Sequence, residues 1–429
     1  MKILLIGSGG REHAFAFKLK QSNLCSKLFI APGNAGTALC GTNIQITVNE
    51  FDKLGDFCKK EQIGLVIVGP EDPLVNGIRN YFEKDGQLKT IPFVGPDAAG
   101  AQLEGSKDFS KAFMQKYQIP TARAATFTIE TYKEGENYLM NHSLPIVLKA
   151  DGLAAGKGVV ICETKEEALS EFKSFIKELK FGAASKKVLV EEFLTGIELS
   201  VFVLTDGTSY KILPEAKDYK RIGEKDTGPN TGGMGAISPV PFADAAFMEK
   251  VEKNIILPTI NGLKNEGIQY TGFIFIGLMN DKGEPKVIEY NCRMGDPETE
   301  VVLPRITSDV AQLMLACGKG ELTKVDLVIA EQYATTVMLV SGGYPNDYQK
   351  GKLMTGMEDV KDSILFHAGT SINTHGEVVT NGGRVMAITS FGDSLNEALG
   401  KSLTNATRIN FEGKYYRKDI GFEFLEKNV

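Results

Sequence analysis

Two short apolar runs, residues 146–148 and 159–161, enclose the segment Lys149-Ala-Asp-Gly-Leu-Ala-Ala-Gly-Lys-Gly. Runs of that length and apolar, β-branched character read as strands, which makes the segment the connection of a hairpin. Gly152, Gly156 and Gly158 let the backbone pass close to an anion without a Cβ in the way, and Lys149 and Lys157 supply positive charge. A P-loop needs four residues between its glycines, a Ser or Thr after the lysine, and a helix behind it. Here three residues separate Gly152 from Gly156, Gly158 follows Lys157, and a strand follows the loop. No helix N-terminus then supplies the anion site, and the pattern fits a glycine lid over a triphosphate. An ordinary glycine-rich hairpin is the alternative, since glycine loops are common turn devices.

A second segment, Lys286-Val-Ile-Glu-Tyr-Asn-Cys-Arg-Met-Gly-Asp-Pro-Glu, is an apolar strand opening into a polar cluster. Side chains two apart on a strand share a face, so Glu289 and Asn291 bring a carboxylate and an amide oxygen together, and Arg293 continues that face. Two oxygen ligands suit Mg²⁺, which takes few protein ligands and completes its shell with water and phosphate. A metal pair with an arginine beside it meets the needs of phosphoryl transfer, where catalysis is mostly positioning and neutralisation of spreading charge. The alternative is an exposed strand end carrying unrelated charges.

At 429 residues and 42% hydrophobic content the chain is expected to fold into about three domains at ~150 residues each. A formal charge of −6 gives no basic footprint for nucleic acid, so phosphates must be met by local clusters of Lys, Arg and backbone N–H groups. Six cysteines without a C-x-x-C pair and four histidines without H-E-x-x-H argue against zinc and redox chemistry and suit a reducing cytoplasm. Met1-Lys-Ile-Leu-Leu-Ile-Gly is a strand running into a glycine turn, too short for a signal sequence, and no apolar run approaches a membrane span.

Strand-like runs at 3–6, 28–31, 44–48, 65–68 and 93–94 alternate with helical stretches and predict a parallel α/β domain over residues 1–120, closed by a helix over 98–117. Ligands of such sheets sit beyond the carboxyl ends of the strands, here Gly7 to His13, Pro32 to Thr37 and Gly69 to Glu71. A dinucleotide site would need Gly or Ala where Glu12 stands, while Arg11 suits a single phosphate; Arg11 and His13 as helix-surface residues are the alternative. A small lid domain is expected over 121–190, with a helix over 165–179, then a nucleotide and metal domain over 191–326, and a mixed α/β domain over 327–429 with strands at 335–340, 365–368 and 384–389. Arg384, after two glycines, either touches a substrate phosphate or simply leaves a turn.

Between lid and metal strand lies Lys187-Val-Leu-Val-Glu-Glu-Phe-Leu-Thr-Gly-Ile-Glu-Leu-Ser. In this order the chain resembles the ATP-grasp superfamily, an α/β fold that uses ATP with Mg²⁺ or Mn²⁺. The resemblance implies an adenine-side hinge at Glu191, Glu192, Phe193 and Leu194, and a ribose ligand at Glu198. It places phosphate contacts at Lys107, Lys149 and the lid residues Gly156, Lys157 and Gly158, and metal ligands at Glu289 and Asn291. The superfamily's first metal carboxylate falls near Gly277, a departure from the pattern.

Gly7-Ser-Gly-Gly-Arg-Glu-His, Ala31-Pro-Gly-Asn-Ala-Gly-Thr, Gly69-Pro-Glu and Asp226-Thr-Gly-Pro-Asn-Thr-Gly-Gly-Met-Gly occur together in this order, and Arg417-Lys-Asp-Ile-Gly lies near the C-terminus. With them the whole chain resembles the glycinamide ribonucleotide synthetase family of purine biosynthesis. This implies ligation of glycine to 5-phosphoribosylamine through glycyl phosphate, with Arg293, Lys149 and Asp296 at the chemistry. Substrate contacts are implied at Gly9, Gly10, Arg11, Glu12, Gly33, Asn34 and Glu71 on the acceptor side, and at Asp218, Lys220, Asn230, Gly232 and Arg384. Members often carry Gln and His where Lys217 and Tyr219 stand, so roles at those two positions do not transfer. A cytoplasmic monomer with small-molecule substrates is expected, with no nucleic-acid or membrane partner and, as the chain ends at Val429, no fused second enzyme. The competing readings are an NAD-dependent oxidoreductase, a silent nucleotide-binding regulator, another ATP-grasp carboxylate–amine ligase and a biotin-type carboxylase.

Overall fold

The computed structural model describes residues 1–153 and 158–425; Gly156 and Lys157 of the expected lid lie outside them. A five-stranded parallel sheet opens the chain in the order Thr42–Asn43, Lys27–Pro32, Lys2–Gly7, Leu65–Val68, Phe93–Val94. Its central strands are unbroken apolar runs because helices cover both faces, so Ile3 to Ile6 and Leu65 to Ile67 lose all contact with solvent. The strand expected at 44–48 is instead Thr42–Asn43. Residues 44–48 alternate like a strand, but after Ile44 N, which still donates to Ile30 O, Ile46 N turns back to Ile44 O, and Ile44, Ile46 and Val48 pack half-buried against the core. The single helix expected over 98–117 is two, Gln102–Gly105 and Lys107–Lys116. Extended Ser106 separates them and caps the second by accepting from Phe109 N at 3.1 Å.

Next comes an antiparallel sheet ordered Ala124–Phe127, Val188–Glu192, Ile146–Ala150, Val159–Cys162. The helix Lys165–Glu178 packs on it with Ala168, Phe172, Phe175 and Ile176, a spacing that puts all four on one stripe. Each large side chain buried this way contributes about 1.5–3 kcal/mol. A third sheet, Tyr210–Ile212, Ile197–Thr205, Gly272–Asp281, Glu284–Asn291, is antiparallel throughout. The last sheet runs Lys217–Asp218, Gly235–Ser238, Tyr333–Val340, Arg384–Gly392, Ser363–His367, with the helix Leu395–Arg408 against it. It therefore crosses the division expected at 326. Strands of two and four residues, flanked by the glycines of Asp226 to Gly235, are too short to show a period of two, and sequence patterning leaves them with the preceding segment. No described helix is long and apolar enough to cross a membrane.

Two anchors join the last sheet to the rest. Arg417, fully buried, donates to Asp226 Oδ1 at 2.6 Å and to both oxygens of Asp419 at 2.8 and 2.9 Å, while Asp419 Oδ2 also accepts from Lys225 N. This pins the hairpin Arg221–Gly223 and Thr227–Asn230 to the C-terminal segment. On the other side the helix Gly10–Lys20 meets the strand Ser363–His367, where His367 N donates to His13 Nδ1 at 2.8 Å. Burial drives His13 down to about 3, helped by His367, and drives His367 down to about 4. Both are neutral when folded, whereas the unfolded chain protonates them near 6.5. Stability from this contact is thus full above that value and falls as pH drops below it, by up to about 1.4 kcal/mol per pH unit for each histidine. His13→Gln should flatten the loss of stability between about pH 6.5 and 4 relative to the parent, read as urea midpoints across that range.

Candidate active site

Arg293 lies just past the end of the strand Glu284–Asn291, and two carboxylates from the N-terminal part hold its guanidinium. Nη2 donates to Glu104 Oε1 at 2.8 Å and Nε to Glu71 Oε2 at 3.2 Å. Glu104 Oε2 accepts from Cys292 N and Sγ, so the strand end is fastened twice to one carboxylate. Burial opposes ionisation of Glu71, but Arg293 and Arg11 outweigh it and hold its carboxyl down to about 2. Glu104 is raised by burial, against the pull of Arg293.

Glu289, Asn291 and Arg293 line one cavity of about 510 Å³ together with Lys149, Glu198 and Arg11. These three residues share the cavity although Arg293 lies beyond the strand and the ladder shifts register between Gly277 and Leu278. Gly277 sits opposite Glu289, and a Cβ there would lie 3.3 Å from Glu289 Cγ, so the glycine leaves room for the carboxylate it faces. Asn291 is buried with Nδ2 unpartnered. One carboxylate and one amide facing a common space fit a divalent ion that takes its other ligands from phosphate and water. Among the described residues no group of three or more His, Cys, Asp or Glu is arranged to hold an ion by itself.

The lysines come from two directions. Lys149, on the strand Ile146–Ala150, donates to Ile288 O at 3.2 Å and lies 2.8 Å from Glu191 Oε2. Lys111, from the helix Lys107–Lys116, lies 3.2 Å from Glu191 Oε1 and donates to Thr121 Oγ1. Burial lowers both Lys107 and Lys111; it works against the charge of Glu191 too, but Lys149 and Lys111 outweigh it there. Glu191, expected at the hinge, thus turns its carboxylate inward between two lysines, whereas Glu192 pairs with Arg123 at 2.8 Å. Lys107 donates to Gly152 O at 3.3 Å, and Gly158 lines a neighbouring cavity of about 200 Å³ with Lys107 and Lys111. Lys111 was missed from sequence; its signal is the four-residue spacing from Lys107, which puts both on one helix face. Beside the hinge, Val147, Ile161, Phe193, Leu194 and Met279 give the larger cavity an apolar end suited to a flat ring.

At the opposite end stand Arg11, Glu71, Asn230, Gly232 and Arg384. Arg384 Nη1 donates to Gly232 O at 2.5 Å and Asp296 O at 2.6 Å, and Nη2 lies 3.0 Å from Asp296 Oδ1. It therefore forms part of the cavity wall. The start of the helix Gly10–Lys20 differs from expectation, because its amides already hold carboxylates. Ser8 N and Gly9 N donate to Glu12 Oε2, and Arg11 N donates to Asp296 Oδ2 at 3.3 Å. Glu12 reaches back as the acidic member of a capping box. It also pairs with Arg11 Nε at 2.6 Å, and Arg11 Nη1 donates to Met294 O. Asn34 spends its amide on the backbone, donating to Ser8 O and His367 O and accepting from Gly36 N and Thr37 N. Gly33, at φ 74°, makes the turn that carries it. Gly9, Gly10, Glu12, Gly33 and Asn34 shape this rim and do not line the cavity.

Between the two ends is an acidic wall. Lys220 Nζ lies 2.5 Å from Glu198 Oε2 and 3.9 Å from Asp218 Oδ1. Glu298, also missed from sequence, is 3% exposed and accepts from Ser200 Oγ at 3.2 Å. Burial first, then Asp218, raises its carboxyl to about 7. It follows the Asp-Pro turn, beyond the reach of strand alternation, and nothing in the local spacing marks it.

A nucleotide-sized cavity roofed by an antiparallel lid sheet, with lysines above and a carboxylate–amide strand below, is the arrangement of an ATP-grasp protein. Family profiles match the chain in three consecutive pieces. These are the phosphoribosylglycinamide synthetase N domain over 1–104, the ATP-grasp (A) domain over 105–299 and the C domain over 334–423. The phosphoribosylamine–glycine ligase of Pasteurella multocida is 45% identical over 434 residues, covering all of both chains. A bifunctional purine biosynthetic protein of Pichia angusta is 46% identical over 435 residues, and this chain spans about half of it, 54%. Among solved structures, phosphoribosylamine–glycine ligase from Thermotoga maritima superposes with a TM-score of 0.85 at 35% identity, covering 98% of this chain and 100% of that one. A biotin carboxylase domain from Hydrogenobacter thermophilus, at a TM-score of 0.71 and 15% identity over 96% of this chain and 91% of that one, shares the fold alone. The chain belongs to the phosphoribosylglycinamide synthetase family.

Arg293→Met should destabilise the protein by about 3–5 kcal/mol, because it strands Glu104 as a buried carboxylate. Adding Glu104→Gln should recover part of that loss, and urea denaturation of the two single variants and the double variant measures the coupling.

Proposed function

We propose that the chain joins glycine to 5-phosphoribosylamine at the expense of ATP, giving glycinamide ribonucleotide, ADP and phosphate by way of glycyl phosphate. The observation that carries this is the single cavity in which Glu289, Asn291 and Lys149 share walls with Arg11 and Arg384. A nucleotide end and an acceptor end face one reaction space, as a two-step ligation requires. Glycine's carboxylate is a poor electrophile; its oxygen attacks the γ-phosphate with ADP leaving, which turns that oxygen into part of a leaving group, and the amine then displaces phosphate. Lys107, Lys149 and Lys111 hold the phosphates, Arg293 stands beside the transferring group, and Phe193 and Leu194 flank the base. A magnesium or manganese ion on Glu289 and Asn291 would neutralise phosphate charge. Arg11 and Arg384 reach toward the acceptor, and Asp296 fixes Arg384 in that pose. A glycine lid that closes over the site, as the sequence implies, would keep water from the acyl phosphate. The chain acts on small molecules, as a monomer in the cytoplasm.

ADP release with glycine, phosphoribosylamine and bicarbonate supplied separately tests the reading: release should require the first two and ignore the third. Glu289→Gln should lower ligation on the order of a thousandfold, with circular dichroism unchanged. Normal turnover of that variant at saturating Mg²⁺ would remove Glu289 from the site. Arg11→Ala should raise the KM of the acceptor about ten- to a hundredfold through lost charge-assisted hydrogen bonds, leaving the KM of ATP nearly unchanged. A weaker ATP with an unaltered acceptor would reverse the assignment of the two ends.

A further inference from the structure

The joining step leaves a proton to be placed. As the acceptor's amine attacks the acyl carbon, nitrogen acquires positive charge, and the C–N bond becomes stable only when an N–H proton departs. The base must face the reaction space and must not be bound to a cation. Most carboxylates of the cavity fail that condition. Glu71 holds Arg293, Glu191 holds two lysines, Glu192 holds Arg123, Glu198 and Asp218 share Lys220, and Asp296 holds Arg384. Among the described residues two remain, Glu289 and Glu298, and Glu289 is assigned to the metal.

We propose that Glu298 is the general base of the joining step, taking the proton from the attacking amine on its carboxylate Oε2. The proposal rests on the glycyl phosphate reading given above. Glu298 sits on the cavity wall between the two ends, two residues from Asp296. Its Oε1 accepts from Ser200 Oγ, which fixes the group, while Oε2 has no hydrogen-bond donor among the described residues. Gly295 leaves the space the carboxylate occupies: a Cβ there would come 2.4 Å from Oε2. The groups that face it are Asp218 and Lys220 of the same acidic wall, Arg293 before the Asp-Pro turn, Arg384 from the last sheet and Glu300 on the following helix. Burial and Asp218 raise it to about 7 against the pull of Lys220 and Arg293, so near neutrality it is both ionised in part and basic enough to hold a proton. In the step, nitrogen's lone pair forms the C–N bond, the C–O bond to phosphate breaks with its electrons leaving on phosphate, and the N–H proton passes to Glu298.

The test compares the full-length parent, Glu298→Gln and Glu298→Asp. Ligation is measured as glycinamide ribonucleotide formed. Acyl phosphate formation is followed separately, as oxygen-18 moving from the β,γ-bridge of ATP to a non-bridging position, with glycine present and ribose 5-phosphate filling the acceptor site without an amine. Glu298→Gln should lose ligation by at least about a hundredfold while isotope scrambling stays within about threefold of the parent. The acidic limb of kcat/KM for the acceptor, placed near pH 7 in the parent, should vanish in Glu298→Gln and return in Glu298→Asp. Ligation by Glu298→Gln within about tenfold of the parent would overturn the proposal, as would a loss of scrambling equal to the loss of ligation. A parent enzyme that does not scramble the label would instead overturn the glycyl phosphate reading, and the proposal with it.

Discussion

The site is assembled around one guanidinium. Arg293 sits between Glu71 and Glu104, and Cys292 next to it donates twice to Glu104. Desolvating three charged groups is expensive, and their mutual attraction offsets that cost only while the geometry is kept. The pair of bonds therefore works as a distance constraint: the end of the metal strand cannot shift against the parallel sheet without stranding a buried carboxylate. Because Glu289 and Asn291 stand four and two residues earlier in the chain, their placement relative to the acceptor rim is inherited from this contact.

Charge in the cavity is mostly cancelled in pairs. Glu191 lies between Lys111 and Lys149, Lys220 bridges Glu198 and Asp218, and Asp296 meets Arg384. The pairs of Glu191 are desolvated and that of Arg384 largely so, while Lys220 and Glu198 stay about two-fifths exposed; the buried cations are held in place before any phosphate arrives, and little rearrangement is left for them on binding. The same pairing means that a sequence motif names a residue without saying whether its charge is free. Arg293 reads from sequence as a cation for the transferring group, whereas two carboxylates share it in the structure.

What the sequence discloses follows from where local rules suffice. The parallel strands at 65–68 and 93–94 and the helix over 165–178 are visible because burial imposes a period or an unbroken apolar run. Glu289, Asn291 and Arg293 are visible for the same reason. Strands Lys217–Asp218 and Gly235–Ser238 are not, since two to four residues carry no period, and the strand Gly235–Ser238 finds its other partner about a hundred residues away. The bonding of Asn34 to His367 is not legible in the sequence, because it depends on a contact between distant segments. Lys111 and Glu298 were missed for different reasons: the first had a helical spacing available as a signal, the second had none.

The occupied start of the helix Gly10–Lys20 bears on selectivity. Its amides are bound to Glu12 and Asp296. An anion arriving there enters an exchange, not an empty socket, and must outcompete a tethered carboxylate for every N–H it takes. Chloride and small carboxylic acids, no better as acceptors than the resident groups and lacking their tether, would be at a disadvantage in that contest. A phosphate dianion, with more charge and more acceptor oxygens than either resident carboxylate, would compete better.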